Sequence, residues 1–487
     1  MSQNRMEKRA MLAESLRRFL PPECVVEDEE TQRPYECDGL AVYCEMPLLV
    51  VLPENREQLC RIMALCHQHR VPVVARGAGT GLSAGAMPNS DGVLLSLAKF
   101  SRILEIDPQA RIARVEPGVR NLAISEAAEE YGLYYAPDPS SQIACTIGGN
   151  LAENSGGVHC LKYGLTVHNI LGFEMVTADG EVMQVGGDGF DSPGYDLNAL
   201  LIGSEGLLGV VTEITVKLLP TPETARVVMA AFDSVEKAGK AVAAVIANGI
   251  IPAGLEMMDS LAISAAEDFV SAGYPTEAKA LLLCEVDGSE EEVEEHLQRA
   301  EAIFMEQGAF SCRKSQNEQE RALFWKGRKS AFPAVGRISP DYYCMDGTIP
   351  RSQLAYVLTE IEQLSQSYGL RVANVFHAGD GNLHPLILFD TSVPGELEKA
   401  EALGARILEL SVEVGGCITG EHGVGVEKIR QMHKQFGELE LAQFHAIKAA
   451  FDCHGILNPG KGIPELKRCQ EYRSIEPHGS CVGGEIG

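Results

Sequence analysis

Two histidines stand at the ends of the segment His-Ala-Gly-Asp-Gly-Asn-Leu-His, from His377 to His384. Apolar, strand-like stretches flank it, and Asp380-Gly381 is a strong signal for a two-residue hairpin turn. A turn centred there predicts that His377 lies directly opposite His384, with Cβ atoms about 5 Å apart. Two imidazoles at that separation can chelate a divalent metal ion.

A carboxylate and a third histidine occur together downstream, in Gly420-Glu421-His422-Gly423. With Glu421 as a ligand, two imidazoles and one carboxylate leave open coordination positions, as catalytic metal sites do. On an extended strand Glu421 and His422 would point in opposite directions, but the flanking glycines allow a turn. The alternative is a hydrogen-bonded pair of histidines at the end of a hairpin, with no metal.

A different kind of chemistry is indicated by the run Arg-Gly-Ala-Gly-Thr-Gly-Leu-Ser-Ala-Gly at 76–85, which follows a predicted strand. Backbone N–H groups in such a run can approach a diphosphate closely. A P-loop is excluded because no Gly-Lys-Ser/Thr ends the run, and a Rossmann fingerprint fails because Leu82 or Ala84 stands where its last glycine belongs. The next strand, near Val93, is also too close for a crossover helix.

A second loop of the same chemistry follows, at 137–141 and 146–157. Taken alone, either loop could be a glycine-rich surface loop without a ligand. Two such loops in one domain favour a long dinucleotide with an extended pyrophosphate.

The elements that must position these groups divide the chain into two kinds of region. Strands with short helices between them are predicted up to about residue 221, at 48–52, 71–75, 93–97, 112–115, 170–177 and 209–218, with helices at 59–69 and 121–131. Long amphipathic helices then alternate with strands, the helices at 234–247, 290–307, 353–368 and 394–414, and the strands at 226–232, 281–286, 371–376 and 385–389. We predict an N-terminal helical segment at 1–42, a binding domain at 43–221, an α+β domain at 222–455, and a C-terminal segment at 456–487 with a poorly ordered polar tail.

Composition excludes several classes of protein. The net charge of −27 disfavours binding to nucleic acid or to anionic lipid, and an anionic substrate would need a local cluster of positive charge. No apolar stretch is long enough to span a membrane, and the N-terminus lacks the apolar run of a secretory signal, which predicts a cytoplasmic protein. The 14 cysteines form no C-x-x-C pair, which predicts reduced, mostly buried thiols and no iron–sulfur cluster in this chain.

The two glycine loops, Gly203-Ser204-Glu205-Gly206 and Leu457-Asn458-Pro459-Gly460-Lys461 resemble the FAD-binding domain of the vanillyl-alcohol oxidase superfamily over about residues 43–463. The resemblance implies an α+β fold: a two-lobed FAD-binding domain with an α+β substrate domain, or cap. Thr80 stands where covalent members carry a flavin-linked histidine, so FAD is expected to be non-covalent. The implied FAD contacts are Arg76, Gly77, Ala78, Gly79, Thr80, Gly81, Pro137, Ser141, Gly148, Gly149, Asn150, Ala152, Asn154, Gly157, Glu205, Gly209, Val210 and Asn458.

The histidine motifs resemble the substrate domain of the D-lactate and D-2-hydroxyglutarate dehydrogenase group, and within it the FAD-bearing subunits of bacterial glycolate oxidases. By that resemblance His377, His384 and Glu421 hold a divalent metal, zinc or a similar ion, and His422 is the catalytic base. Arg328 is expected to bind the substrate carboxylate, and Arg337 is the alternative.

The implied reaction is the oxidation of a small 2-hydroxy acid, glycolate to glyoxylate, with electrons passed to a partner and not to NAD. A metal would assist removal of the hydroxyl proton as a Lewis acid, and a neutral histidine can accept that proton. The implied partners are a flavoprotein-like subunit and an iron–sulfur subunit, with peripheral membrane association through the complex. The alternatives are D-lactate or D-2-hydroxyglutarate oxidation, and a non-catalytic FAD-binding subunit.

Overall fold

A computed structural model describes residues 3–189 and 194–465. Its mixture of sheets and helices confirms the predicted α+β class. The polar tail predicted to be poorly ordered falls at 466–487, outside the described residues. Among the helices of the described ranges, none has both the length and the apolar content that crossing a bilayer requires.

The first sheet has four short strands in the order β1-β2-β4-β3. They are β1 (Val25–Val26), β2 (Leu49–Val51), β3 (Val73–Arg76) and β4 (Val93–Ser96). Strands β2, β4 and β3 are parallel, and β1 is antiparallel to β2. Three helices precede or connect them: α1 (Gln3–Arg17), α2 (Glu29–Gln32) and α3 (Arg56–His69). The connection from β3 to β4, which is the first glycine loop, contains no helix, as predicted.

The second sheet is antiparallel, with five strands in the order β5-β6-β10-β8-β9. They are β5 (Ile103–Asp107), β6 (Ile112–Val115), β8 (Ile170–Val176), β9 (Val182–Gly186) and β10 (Val210–Lys217). A small separate ladder joins β7 (Leu133–Tyr134) to β11 (Leu219–Pro220). The helices of this part are α4 (Asn121–Ala128), α5 (Ile147–Glu153), α6 (Cys160–Tyr163) and α7 (Leu197–Leu201).

The third sheet has seven antiparallel strands in the order β15-β12-β14-β13-β18-β20-β16. They are β12 (Thr224–Phe232), β13 (Gly254–Asp259), β14 (Ala280–Gly288), β15 (Ala309–Lys314), β16 (Asp341–Cys344), β18 (Val372–Phe376) and β20 (Pro385–Phe389). A two-residue ladder pairs β17 (Gly347–Thr348) with β19 (Asn382–Leu383).

Helices cover both faces of this third sheet, so its central strands are apolar on both sides. In β12, Val228 and Phe232 pack in one core and Val227 and Met229 in another. The first face carries α8 (Val235–Ala247), α10 (Glu290–Glu306), α13 (Leu354–Tyr368) and α14 (Glu396–Glu413). The second face carries α9 (Ser260–Val270), α11 (Glu318–Lys329) and α12 (Ala331–Val335). Two further helices follow, α15 (Met432–Gln435) and α16 (Glu438–Phe451).

The four long helices predicted in this region are confirmed within about two residues at each end. Capping residues explain why the starts of these helices can be predicted from the sequence. The hydroxyl of Ser289 accepts a bond from the N–H of Glu292, whose carboxylate accepts one from the N–H of Ser289. The predicted reduced thiols also hold for the described cysteines, since none is in a disulfide, and only Cys44 and Cys453 are exposed.

After α16 the chain returns to the first sheet. The N–H of Val73 donates to the carbonyl of Ile456, and the N–H of Asn458 donates to the carbonyl of Val73, each at 2.8 Å. The terminal segment therefore lies beside the strand from which the first glycine loop begins.

Candidate active site

A deep cleft, with an empty volume of about 1600 Å³ including its open mouth, runs between the two glycine loops and the third-sheet region. Its walls include most of the residues expected to contact FAD. Those that line it are Arg76, Gly77, Ala78, Gly79, Thr80, Gly81, Ser141, Gly148, Gly149, Asn150, Ala152, Glu205, Gly209 and Val210. Those that the cleft wall does not include are Pro137, Asn154, Gly157 and Asn458.

Three of these four residues form hydrogen bonds that stabilise the loops behind the cleft wall. The carbonyl of Pro137 accepts a bond from a buried asparagine amide, and Oδ1 of Asn154 accepts one from a backbone N–H. The side chain of Asn458 donates to the carbonyls of Gly85 and Glu205, which do line the cleft. Their role in this structure is to hold the loops in shape.

The glycine loops fit a phosphate-bearing ligand. A Cβ atom at Gly77 would stand 2.2 Å from Oγ1 of Thr146, so glycine lets the two loops approach there without displacing the Thr146 hydroxyl. The Thr146 hydroxyl is buried at the cleft wall and has no hydrogen-bond partner among the described residues. An unpartnered buried hydroxyl beside exposed loop backbone is what a bound diphosphate would satisfy.

Glu153 is a cleft residue that the sequence interpretation missed. It ends α5, it lines the cleft, and its Oε2 is buried without a partner among the described residues. Burial and the neighbouring carboxylate of Glu205 raise the pKa of Glu153 well above its usual range. Burial and the neighbouring charge therefore favour the neutral form of this acid at the cleft wall.

The predicted register of the histidine hairpin is wrong by two residues. His377 pairs with Asn382 and not with His384, because the turn has four residues and not two. Asp380 makes the longer turn by accepting the N–H of Asn382, while Gly381 takes a φ of +84°. A shift of two preserves the side of the sheet, so the two imidazoles still meet, edge to face, with centroids 5.2 Å apart.

Both imidazoles point at one carboxylate. Nε2 of His377 lies 3.3 Å, and Nε2 of His384 3.1 Å, from Oε1 of Glu421. Burial alone would lower the pKa values of His377 and His384, but nearby carboxylates outweigh it. They raise the pKa of His377 well above its ordinary value and also raise that of His384. Burial opposes ionisation of Glu421, but the two imidazoles hold its pKa well below the usual range. The sequence-predicted ligands are thus within reach of one point.

Asp346, also missed from the sequence, fixes the turn that carries Glu421. Its buried carboxylate accepts the backbone N–H groups of Gly420, at 3.0 Å, and His422, at 2.9 Å. The ammonium of Lys428 stands 3.0 Å from the same carboxylate. Despite burial, Lys428 and His422 keep the pKa of Asp346 well below its usual range. We call Asp346, His377, His384, Glu421 and His422 the cleft cluster.

His422 lies beside the ligands and faces the cleft. Its ring stacks on that of His384, with centroids 5.0 Å apart and an angle of 19°. Burial, opposed by Asp346, lowers the pKa of His422 to about 4. Nδ1 of this ring is buried and has no hydrogen-bond partner among the described residues. A neutral imidazole with an available nitrogen is the form that a base requires.

Neither arginine expected to hold a substrate carboxylate is part of the cleft wall. Arg328 is 1% exposed, and its guanidinium lies 2.7 Å from Oε2 of Glu256. The other oxygen of Glu256 is 2.7 Å from Nδ1 of His377. Arg337 is exposed and stacks on Phe269, 4.4 Å from the ring centroid. Direct binding of the substrate carboxylate by Arg328 is therefore not supported, because Arg328 already forms an ion pair with Glu256 behind His377.

The residues that the sequence interpretation missed differ in how strong a signal each leaves in the sequence. Glu256 is a lone acid in the apolar strand β13, and such an acid is a signal that could have been used. Asp346 precedes a glycine and resembles an ordinary turn residue. Phe332, which lines the cleft and meets the His384 ring edge to face at 6.4 Å, looks like any core aromatic in a sequence.

A second group, in which a half-buried histidine and a half-buried arginine contact buried carboxylates, lies away from the cleft wall. We call Asp138, His159, Glu285, Arg321 and Trp325 the linker cluster. His159 contacts Asp138 at 2.9 Å through Nδ1 and Glu285 at 3.1 Å through Nε2. Glu285 also receives Arg321 at 2.7 Å and the indole N–H of Trp325. The carboxylates outweigh burial and raise the pKa of His159 to about 10.

Comparisons with known proteins identify the class to which this geometry belongs. Residues 47–186 match the model described as FAD binding domain, and residues 221–462 match FAD linked oxidases, C-terminal domain. Crystalline p-cresol methylhydroxylase, at 18% identity, superposes over 96% of this chain and 98% of that one with a TM-score of 0.80. The fold and the cleft therefore define an FAD-dependent oxidoreductase with the predicted vanillyl-alcohol oxidase fold.

Close relatives define the family. The chain is 63% identical over 464 residues to the glycolate oxidase subunit GlcD of Escherichia coli K12, covering 95% of this chain and 93% of that protein. It is 31% identical to a D-lactate dehydrogenase of Anaerostipes hadrus over 91% of this chain and 95% of that one. The chain belongs to this family of FAD-linked oxidases, which confirms the family resemblance drawn from its motifs.

Proposed function

We propose that this chain oxidises glycolate to glyoxylate, as the FAD-bearing catalytic subunit of a larger oxidase. The observation that carries the proposal is that one cleft is lined both by the phosphate-type loops and by His384, Glu421 and His422. The 63% identity to a glycolate oxidase subunit supports glycolate over the D-lactate alternative.

We propose a divalent metal, zinc or a similar ion, held by His377, His384 and Glu421. Nδ1 of His377 faces Glu256 as a donor, so a cation that displaces the proton from Nε2 would find the lone pair of that nitrogen directed towards Glu421. Nε2 of His384 is buried and makes no hydrogen bond of good geometry to a described residue. Two ring nitrogens that face one carboxylate oxygen are arranged as ligands of a cation. This arrangement suits a bound cation better than it suits a hydrogen-bonded network among the three groups.

Glu256 and Arg328 would act as positioning residues for that site. The carboxylate of Glu256 fixes the tautomer and the ring orientation of His377, as carboxylates behind ligating histidines commonly do. Arg328 holds Glu256 in turn. A 2-hydroxy acid can chelate a cation through its hydroxyl and one carboxylate oxygen, so the substrate carboxylate does not need an arginine.

His422 is proposed to accept the hydroxyl proton of the substrate. Bound FAD supplies an acceptor for the hydrogen that leaves C2 as hydride. The stacked ring of His384 and the backbone bonds from Asp346 hold His422 in place, and burial keeps it neutral. The product is then the 2-oxo acid, with two electrons on the flavin and one proton on the histidine.

Phe332 supports a small substrate. It is a third-sheet-region residue that lines the cleft next to His384, where its ring would bound the space for the group on C2. Glycolate carries only hydrogen there, while D-lactate carries a methyl group and D-2-hydroxyglutarate a longer acidic chain. Phe332 offers that distal carboxylate no partner.

We also propose that FAD is bound without a covalent link, because Thr80 and not histidine lines the cleft at that point of the first loop. Acid precipitation is expected to release all of the flavin into the supernatant. Flavin that stays on the precipitated chain would contradict this.

We retain the division into segments 1–42, 43–221, 222–455 and 456–487 as a proposal. It is supported by the finding that, among the described strands, no ladder joins β1–β11 to the strands from β12 onwards.

A flavoprotein-like subunit and an iron–sulfur subunit remain the proposed partners, because the sequence has no C-x-x-C pair for an electron relay of its own. Cytoplasmic location, with peripheral membrane association through the complex, stays a prediction.

Anaerobic titration of the purified holoprotein tests the proposed function. Glycolate is expected to bleach the oxidised flavin absorbance fully, D-lactate more slowly, and D-2-hydroxyglutarate hardly at all. Fastest bleaching by D-lactate or D-2-hydroxyglutarate would favour the alternative substrate. No bleaching by any of the three would favour a non-catalytic FAD-binding subunit.

A further inference from the structure

Three side chains that can ligate a metal meet on the first-sheet side of the molecule. His67 lies in the last turn of α3, and Cys453 and His454 lie in the turn after α16. One ligand atom from each lies within 4.8 Å of the others. The two imidazole centroids are 4.4 Å apart, with an angle of 37° between the rings. None of the three belongs to the cleft wall.

Backbone hydrogen bonds hold both arms of this group in place. At the end of α3, the N–H of Val71 donates to the carbonyl of Cys66 at 2.8 Å. The turn after α16 is held by the buried carboxylate of Asp452, which accepts the N–H groups of Ile456, at 3.0 Å, and Leu457, at 2.7 Å. A site that needs little rearrangement loses little affinity to ordering its ligands.

One nitrogen of the group lacks a partner. Nδ1 of His67 is buried, yet it makes no hydrogen bond to any described residue. A buried ring nitrogen left in this way costs free energy, which a bound ligand would recover. Cys453 is exposed, so a cation could reach its sulfur from solvent.

We propose that His67, Cys453 and His454 bind a borderline divalent cation, Zn²⁺ in the first instance. Two imidazoles and one thiolate are a donor set that Zn²⁺ accepts in tetrahedral geometry, with the fourth position left to water. Hard cations such as Mg²⁺ and Ca²⁺ prefer oxygen ligands and are disfavoured here. This site is independent of the one proposed in the cleft cluster and of the proposed reaction.

Such a cation would join α3 to the segment that completes the cleft. Shortly after His454 the chain reaches Leu457, which bridges to Val73, and then Asn458, which donates to two carbonyls of the cleft wall. Fixing the turn at 453–454 would therefore slow separation of this segment from the first sheet. Zn²⁺ is expected to raise the melting temperature and to slow the loss of FAD.

The test uses the full-length holoprotein after removal of metal with a chelator. Zn²⁺ bound per chain is measured by elemental analysis, and Co²⁺ is used to look for thiolate-to-metal charge transfer in a difference spectrum. The variants are His67→Gln, Cys453→Ser and His454→Gln. The matched controls are His69→Gln, an exposed histidine of the same helix end, and Cys44→Ser, an exposed cysteine far from it in the sequence.

We expect each of the three variants to bind one Zn²⁺ per chain fewer than the unmodified protein, and both controls to bind the same number as it does. Zn²⁺ should raise the melting temperature on the order of 5 °C in the unmodified protein and the controls, and less in the variants. Once Zn²⁺ has been restored, glycolate-dependent flavin reduction should be the same in the three variants, the controls and the unmodified protein.

Either of two results overturns the proposal. One is equal Zn²⁺ content in the unmodified protein and in Cys453→Ser, together with no thiolate band for Co²⁺. The other is an equal loss of Zn²⁺ in His67→Gln and His69→Gln, which would indicate adsorption to surface histidines. A circular dichroism spectrum and an FAD content equal to those of the unmodified protein establish that the Cys453→Ser variant is folded, so that a negative result counts against the proposal.

Discussion

The cleft cluster and the linker cluster are built from the same residue types but use them differently. In the linker cluster, both ring nitrogens of His159 and both oxygens of Glu285 have partners. In the cleft cluster, Nδ1 of His422 has no hydrogen-bond partner among the described residues, and Nε2 of His384 lies 3.1 Å from Oε1 of Glu421 without forming a hydrogen bond of good geometry. A buried polar group is normally satisfied, so an unsatisfied group at a cleft marks a place for a ligand.

The difference teaches how to separate a structural network from a reactive one. Both clusters contain buried carboxylates and histidines with shifted pKa values, so neither of these features distinguishes them. The linker cluster joins the Pro-Asp-Pro loop at Asp138 to β14 of the third sheet through His159. Because both ring nitrogens of His159 already have partners, we interpret the linker cluster as a structural connection between these two parts of the molecule.

The largest effect is expected from Glu421→Gln. Removing the negative charge on which both imidazoles converge should abolish metal binding and slow flavin reduction by glycolate on the order of 10³-fold, with FAD still bound. Elemental analysis and stopped-flow absorbance measure the two effects. His159→Gln is the matched control and should keep both metal and rate. Full turnover by a metal-free enzyme would show that the cleft cluster is structural as well.

His422→Asn should keep metal and FAD but slow flavin reduction by roughly 10²-fold, the usual consequence of losing a general base. The asparagine retains the backbone N–H that Asp346 accepts, so the turn should survive. The same stopped-flow and metal measurements apply. If this variant lost the metal while Glu421→Gln kept it, the two roles would have to be exchanged.

In the linker cluster, His159→Gln should lower the free energy of unfolding by about 3 kcal/mol at pH 7. The substitution removes the cation that contacts Asp138 and one of the two cations that contact Glu285. The pKa of His159 is raised to about 10 in the folded chain, against about 6.5 when unfolded. Its contribution is therefore fully present below about pH 6.5 and disappears as pH rises towards 10.

Urea unfolding of both proteins from pH 6 to pH 10 measures this. The difference between unmodified protein and variant should be largest at pH 6 and shrink steadily at higher pH. A difference that grew with pH, or a loss of glycolate oxidation beyond about twofold at pH 7, would break the distinction between the two clusters.

The smallest effect is expected from Phe332→Ala, which changes the space beside the cleft cluster and none of its donors. The ratio of kcat/KM for D-lactate to that for glycolate should rise about 10-fold, since one methyl group is worth that order of discrimination. Steady-state kinetics with both acids measures the ratio. An unchanged ratio would mean that another side chain bounds the C2 substituent.

Much of the fold was predictable because its signals are local. The strands and long helices follow from alternation, apolar spacing and capping residues such as Ser289, which act within a few positions. The glycine loops were predictable for the same reason. The hairpin register was not, because Asp380 selects a four-residue turn by a side-chain bond that competes with the two-residue turn its sequence favours.

The cleft cluster was predictable only in part. His377, His384, Glu421 and His422 lie in two compact motifs, but Glu256, in β13, and Asp346, between β16 and β17, lie far away along the chain. Glu256 lies 121 positions from His377, and Asp346 lies 76 positions from His422. No local pattern specifies such a pairing, because it depends on how β13 and the chain after β16 are arranged by the third sheet. Arg328 was assigned to the substrate for the same reason, since its partner could not be seen.

The return of the chain to the first sheet has a consequence for how the protein is made. Asn458 donates to the carbonyl of Gly85, a residue 373 positions earlier. At the 5–20 residues per second of translation, roughly 20 to 75 s pass between synthesis of the two. During that interval the first glycine loop lacks its C-terminal support, because the carbonyls of Gly85 and Glu205 have not yet met the side chain of Asn458. We therefore expect a chain that ends before residue 457 to hold FAD more weakly than the full-length chain.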